Sequence, residues 1–104
     1  MGVKDNKKVF IIQLMDGKSD AEILSERAKI IRKLTEAGYD TVDSYIKDDV
    51  PKGCVHGGVY YLGRSIEMLS WADYIYLCED WDIGRGCIIE REVAQLYGIP
   101  EVIL

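Results

Sequence analysis

No apolar run in this chain approaches the ~20 residues of a membrane-spanning helix, and the opening MGVKDNKK lacks the apolar stretch of a secretory signal. Cysteine is scarce. Cys54, Cys78 and Cys87 form an odd set with no CxxC spacing, which argues against a disulfide framework and for reduced thiols. Histidine is scarcer still: His56 follows Cys54 by two residues, and without two further ligands the pair makes no zinc site, so neither metal nor cofactor is expected. A basic stripe is missing too. With 13 Lys and Arg against 18 Asp and Glu, the chain has little with which to neutralise a phosphate backbone, and nucleic acid is not the expected partner. The expectation is a soluble cytoplasmic protein, off the membrane, with a small ligand held by local dipoles.

What is present suits one small domain. The 104 residues are 48% hydrophobic and 30% charged, enough apolar surface for a single core. KVFIIQL (8–14) reads as a strand buried on both faces. Ser19 and Glu22 match a capping box, and Ile23, Ile30, Ile31 and Leu34 recur at helical spacing, so 20–37 is predicted as an amphipathic helix ending at Gly38. A second strand is expected over 39–46, then a loop over 47–58 with proline and glycines, and a helix over 59–71 through Leu62, Ile66 and Leu69. A strand at 72–78, a helix at 85–98 and a strand at 99–104 complete the pattern. Four apolar strands alternating with amphipathic helices imply an α/β fold: a parallel sheet of about four strands with helices on both faces.

Ligands of such sheets bind beyond the carboxyl ends of the strands. Three segments should meet there: QLMDGKS, the 47–58 loop and EDWDIGRG, bringing Gln13, Asp16, Gly17 and Trp81 to the site. Gly84 and Gly86 open the last helix, whose free amides and dipole suit an anion, and Arg85 between them would add a charged bond. A tight strand-to-helix turn would explain the glycines equally well. On a helical wheel, Ile89, Val93, Leu96 and Tyr97 mark the buried stripe. Glu90 falls beside it with Gly86 and Ala94, while Glu92 shares the side of Arg85, Ile88 and Gln95. Glu90 is therefore the carboxylate expected to face the cleft; its rival reading is a border glutamate paired with a surface cation. Glu79, Asp80 and Asp82 suit an acid catalyst, a hydroxyl acceptor or a solvated loop. Tyr60 or Tyr61 would stack on a base or join the core, and Lys18 beside Ser19 is a second phosphate contact or an exposed lysine.

VFIIQLMDGKSDAEILSER, VYYLGRSIEMLSWADYIYL and WDIGRGCIIEREVAQLYGIP together resemble the DUF4406 family, within the nucleoside 2-deoxyribosyltransferase-like superfamily. The likeness covers nearly the whole chain. It implies a flavodoxin-like three-layer sandwich, a nucleoside or nucleotide as partner, and Glu90 as nucleophile on the anomeric carbon, with a 5'-phosphate near Gly84–Gly86 and a homo-oligomer of two or more subunits. The chain departs from the family pattern at three places. Arg64-Ser65 stands where active relatives carry an aspartate, Gln13-Leu14 where they show Gly-Pro or Gln-Pro, and Gly84 where a serine contacts phosphate. These departures bear on catalysis more than on binding, and Asp16, Asp80 or Asp82 would have to act as the acid (Asp80 and Asp82 foremost).

Two functions follow as expectations: an N-glycosidase or deoxyribosyltransferase, or a non-catalytic module that binds a nucleotide in the same pocket. A phosphoacceptor receiver domain ranks last, since Gln13 replaces the acidic pair after the first strand and no lysine follows Lys52.

Overall fold

The bulky run Lys8–Ile12 forms β1, and Val9, Phe10, Ile11 and Ile12 are all buried. The computed structural model describes residues 6–47 and 49–104; the first five residues of the N-terminal segment and Asp48 of the 47–58 loop lie outside the described residues. From β1 the chain passes through α1 (Asp20–Glu36), β2 (Asp40–Val42), α2 (Gly57–Leu69), β3 (Tyr74–Leu77), a single 3-10 turn (Trp81–Ile83) and α3 (Arg85–Leu96). The three strands are parallel in the order β2-β1-β3, with β1 in the middle.

Alternation along β1 divides the core in two. Phe10 and Ile12 pack with Leu14, Leu69, Ile75, Cys87 and Ala94, on the side of α2 and α3. Val9 and Ile11 pack with Ile30, Leu34, Cys78 and Val102, on the side of α1. Each large side chain fully buried here contributes about 1.5–3 kcal/mol, which is why a five-residue strand can organise the whole chain.

Local chemistry sets the helix ends. Ser19 Oγ accepts from the Glu22 amide at 3.1 Å while Glu22 Oε1 accepts from the Ser19 amide at 3.2 Å, completing the expected capping box. At the other end Gly38 takes φ +93°, and the Tyr39 amide donates back to Leu34 O at 3.0 Å, closing the helix as sequence predicts.

The sheet is smaller than expected: three strands, not about four. The predicted last strand, 99–104, shrinks to one bridge between Ile75 and Glu101. It is held by Ile75 N to Pro100 O at 2.9 Å and Val102 N to Ile75 O at 2.8 Å. Only Val102 carries a buried side chain beyond that point, and Ile103 is 86% exposed, so a longer ladder would bury little. The second strand also stops short. Asp43 Oδ1 accepts from the Tyr45 amide at 3.2 Å, a turn that lifts residues 43–46 out of the sheet. That turn aims Ser44 and Tyr45 at the carboxyl end of β1.

Candidate functional site

Beyond the ends of the strands lies an open cavity of about 830 Å³, within the range of small-molecule sites. Its floor is Gln13 and Leu14 at the end of β1. Ser44, Tyr45 and Ile46 form one wall with Asp20 and Ile23 of α1; Tyr61, Leu62 and Ser65 of α2 form the other, with Gly84 to Gly86, Ile89 and Glu90 at the start of α3. Tyr45 is tied across to α1, its hydroxyl donating to Asp20 Oδ1 at 2.7 Å.

Glu90 turns inward. It is 8% exposed and lines the cavity, whereas Glu92 is exposed. Burial pushes its carboxyl up from 4.5 to about 7, opposed by a hydrogen bond from the Ser65 hydroxyl and by the charge of Arg27. Near neutral pH the group is thus divided between carboxylate and acid, a state suited to chemistry and unusual for a surface glutamate.

The GxG motif splits into two roles. Gly84 is buried, and a Cβ there would stand 2.9 Å from Leu14 Cδ1 and 3.1 Å from Cys87 Sγ. This glycine is a packing requirement between β1 and α3. A Cβ on Gly86 would meet only Leu62 Cδ1, at 3.9 Å. Neither α2 nor α3 has a side-chain cap or an acidic residue in its first turn, in contrast to α1.

Of the residues named from sequence, Gln13, Asp16, Tyr61, Ser65, Gly84, Arg85, Gly86 and Glu90 line this cavity. Gly17, Asp80, Trp81 and Asp82 do not. Trp81 packs against the core on the α3 side with the Arg91 guanidinium 5.6 Å from its ring, and Asp80 and Asp82 are exposed around the 3-10 turn. Gln13 is present in a different way from that expected. Its Nε2 donates to Ile23 O at 3.0 Å and Glu26 Oε1 at 3.1 Å, and its Oε1 accepts from Arg27 Nη1 at 3.1 Å, so its amide faces α1.

Sequence reasoning missed the polar cluster behind that floor. Arg27 is 4% exposed and hydrogen-bonds both Gln13 and Ser44, itself buried. Burial draws the guanidinium below its ordinary value, while Asp43, Cys78 and Glu90 work the other way; an arginine stays charged regardless. Lys18 pairs with Glu26 at 2.9 Å. Burial would raise Glu26, but the bonds from Lys18 and Gln13 hold it below the usual carboxylate range. The signal was available: Ile23, Arg27, Ile30 and Leu34 fall on one helical stripe, and an arginine inside an apolar stripe needs a buried partner.

Among the described residues no group of three or more His, Cys, Asp or Glu is placed to hold a metal ion, and no helix is long and apolar enough to cross a membrane. Compared with protein-family models, curated proteins and solved structures, the chain matches none of them.

Proposed function

We propose that this chain is a flavodoxin-like, three-layer domain akin to the DUF4406 family. In this reading it cleaves the N-glycosidic bond of a (deoxy)nucleoside or its 5'-monophosphate, with Glu90 as nucleophile. The observation that carries the reading is a buried carboxylate, raised to about 7, on the wall of a cavity of nucleotide size. A Glu90 oxygen attacks the sugar C1', the C1'–N bond breaks, and the base leaves with the electron pair and takes up a proton from an acid. Water or a second base then attacks C1' of the glycosyl ester and frees the Glu90 carboxylate, the attacking group's proton passing to the conjugate base of that acid. Of the aspartates considered for the acid, Asp16 lines the cavity while Asp80 and Asp82 do not. Arg85 and the Gly86 amide are the groups assigned to a 5'-phosphate. A second copy of the chain belongs to the same reading, with exposed Ile88 and Leu96 of α3 as apolar positions for it to cover.

A second reading, a non-catalytic nucleotide-binding module, is favoured by one contact. The group that hydrogen-bonds Glu90 is the Ser65 hydroxyl, which cannot serve as a proton donor of carboxylic strength. One panel separates the two. Common nucleosides and monophosphates are incubated with the protein and free base is followed by chromatography, beside thermal shift of the same mixtures. Base release lost in Glu90→Ala supports the enzyme; stabilisation without release supports the binder. No release and no stabilisation removes both.

A further inference from the structure

We propose that Arg27 is a positioning residue of this site: its buried guanidinium fixes the floor and wall that face Glu90 and supplies the counter-charge to the attacking carboxylate. The proposal deepens the glycosidase reading and rests on it for the catalytic consequence alone.

Arg27 does not line the cavity, so it acts through others. One nitrogen, Nη1, donates to Gln13 Oε1 at 3.1 Å, and Nη2 donates to Ser44 Oγ. Gln13, Ser44 and Glu90 all line the cavity, at the ends of β1, of the turn after β2, and one turn into α3. A single cation therefore braces two of the three segments that enclose the ligand space. Gln13 gains a defined orientation from this, because its Nε2 is already committed to Ile23 O and Glu26.

The electrostatics point the same way. Among the described residues no carboxylate hydrogen-bonds this guanidinium, which is 4% exposed, and a charge so buried is costly unless nearby groups of opposite charge offset it. Its charged neighbours are Asp43, at the end of β2, and Glu90, with the Cys78 thiol at the end of β3. Glu90 is faced by Ser65 from α2, by Arg27 from α1, and along its own helix by Cys87, whose thiol burial pushes up to about 12 and leaves uncharged. Among the described residues Arg27 is thus the cation that bears on Glu90, and a carboxylate must be ionised to attack C1'.

The test follows Glu90 directly, by side-chain carboxyl NMR of the full chain over a pH series. Arg27→Met keeps the aliphatic stem, and Glu90 should titrate at a higher pH than in the unsubstituted protein. Arg27→Lys should bring back most of the difference. In the unsubstituted chain the Arg27 guanidinium nitrogens should shift with the Glu90 midpoint, and Glu90→Gln should abolish that movement, a readout that holds even where Arg27→Met does not fold. Guanidinium signals that stay flat through the Glu90 titration, or a folded Arg27→Met with an unmoved Glu90, overturn the proposal. With base release in hand, the acidic limb of kcat/KM should move upward in Arg27→Met by the same amount. A chain that releases no base defeats the glycosidase reading and leaves the NMR result to decide Arg27.

Discussion

Leu14 lies over Gly84 so closely that a Cβ on the glycine would come within 2.9 Å of Leu14 Cδ1. The end of β1 and the start of α3 are thereby packed against each other at the edge of the cavity.

Gly84→Ala should accordingly destabilise the protein by about 1 kcal/mol, near the low end for overpacking because the Leu14 methyl can yield. Gly86→Ala should be neutral or slightly stabilising, since its Cβ meets ordinary contact at 3.9 Å and alanine favours the helix. Urea unfolding of the two variants checks the contrast. Adding Leu14→Ala to Gly84→Ala should give a non-additive cycle.

Glu90 makes stability depend on pH in a definite direction. Its folded value, about 7, lies above its ordinary 4.5, so between these limits the folded state holds more proton than the unfolded one. Its contribution is complete below 4.5 and is lost as pH rises through 7, by about 3 kcal/mol. Glu90→Gln should remove this slope and exceed the unsubstituted protein in stability at pH 8. Paired denaturant curves at pH 5 and 8 read the difference directly; equal slopes would contradict the buried placement.

The thiols should divide sharply. Cys54 is exposed, whereas Cys78 and Cys87 are buried with their thiols pushed up to about 12. A thiol reagent at neutral pH should label Cys54 promptly in the native protein and reach the other two only on unfolding. Prompt labelling of Cys87 would mean that the packing between the start of α3 and β1 opens.

Ser19→Ala should cost about 1 kcal/mol, because it removes the cap of α1 and leaves the Glu22 amide without its partner. Since α1 carries Arg27 two turns further on, the thermal transition should broaden little and simply move down. Calorimetry measures both.

Much of this was legible along the chain. The run at 8–12 had to be buried on both faces, and the Ser19–Glu22 box and the glycine after α1 work through bonds within a few residues. Helical phase singles out Glu90 beside a stripe of Ile89, Val93, Leu96 and Tyr97, but Ile89, Leu96 and Tyr97 are exposed. The buried face of α3 is Cys87, Glu90 and Ala94, with Glu90 inside it and not at its border. Other features had no local signature. Trp81 and Asp82 belong to a turn whose direction depends on what β3 and α3 pack against, and they fall outside the cavity although their segment borders it. The last apolar segment looked like a strand, but pairing is a matter of its neighbour, and Ile75 offers it a single bridge.

Sequence by itself determined the alternation of strand and helix and the caps of α1, since periodicity and short-range hydrogen bonding decide these, whereas the buried face of α3 is Cys87, Glu90 and Ala94 and not the expected stripe. Only the tertiary structure decided the three-stranded sheet, the inward commitment of Gln13 and the partners of Arg27. Each of those depends on which groups from distant segments share a dry space, where an unpaired charge or amide is costly.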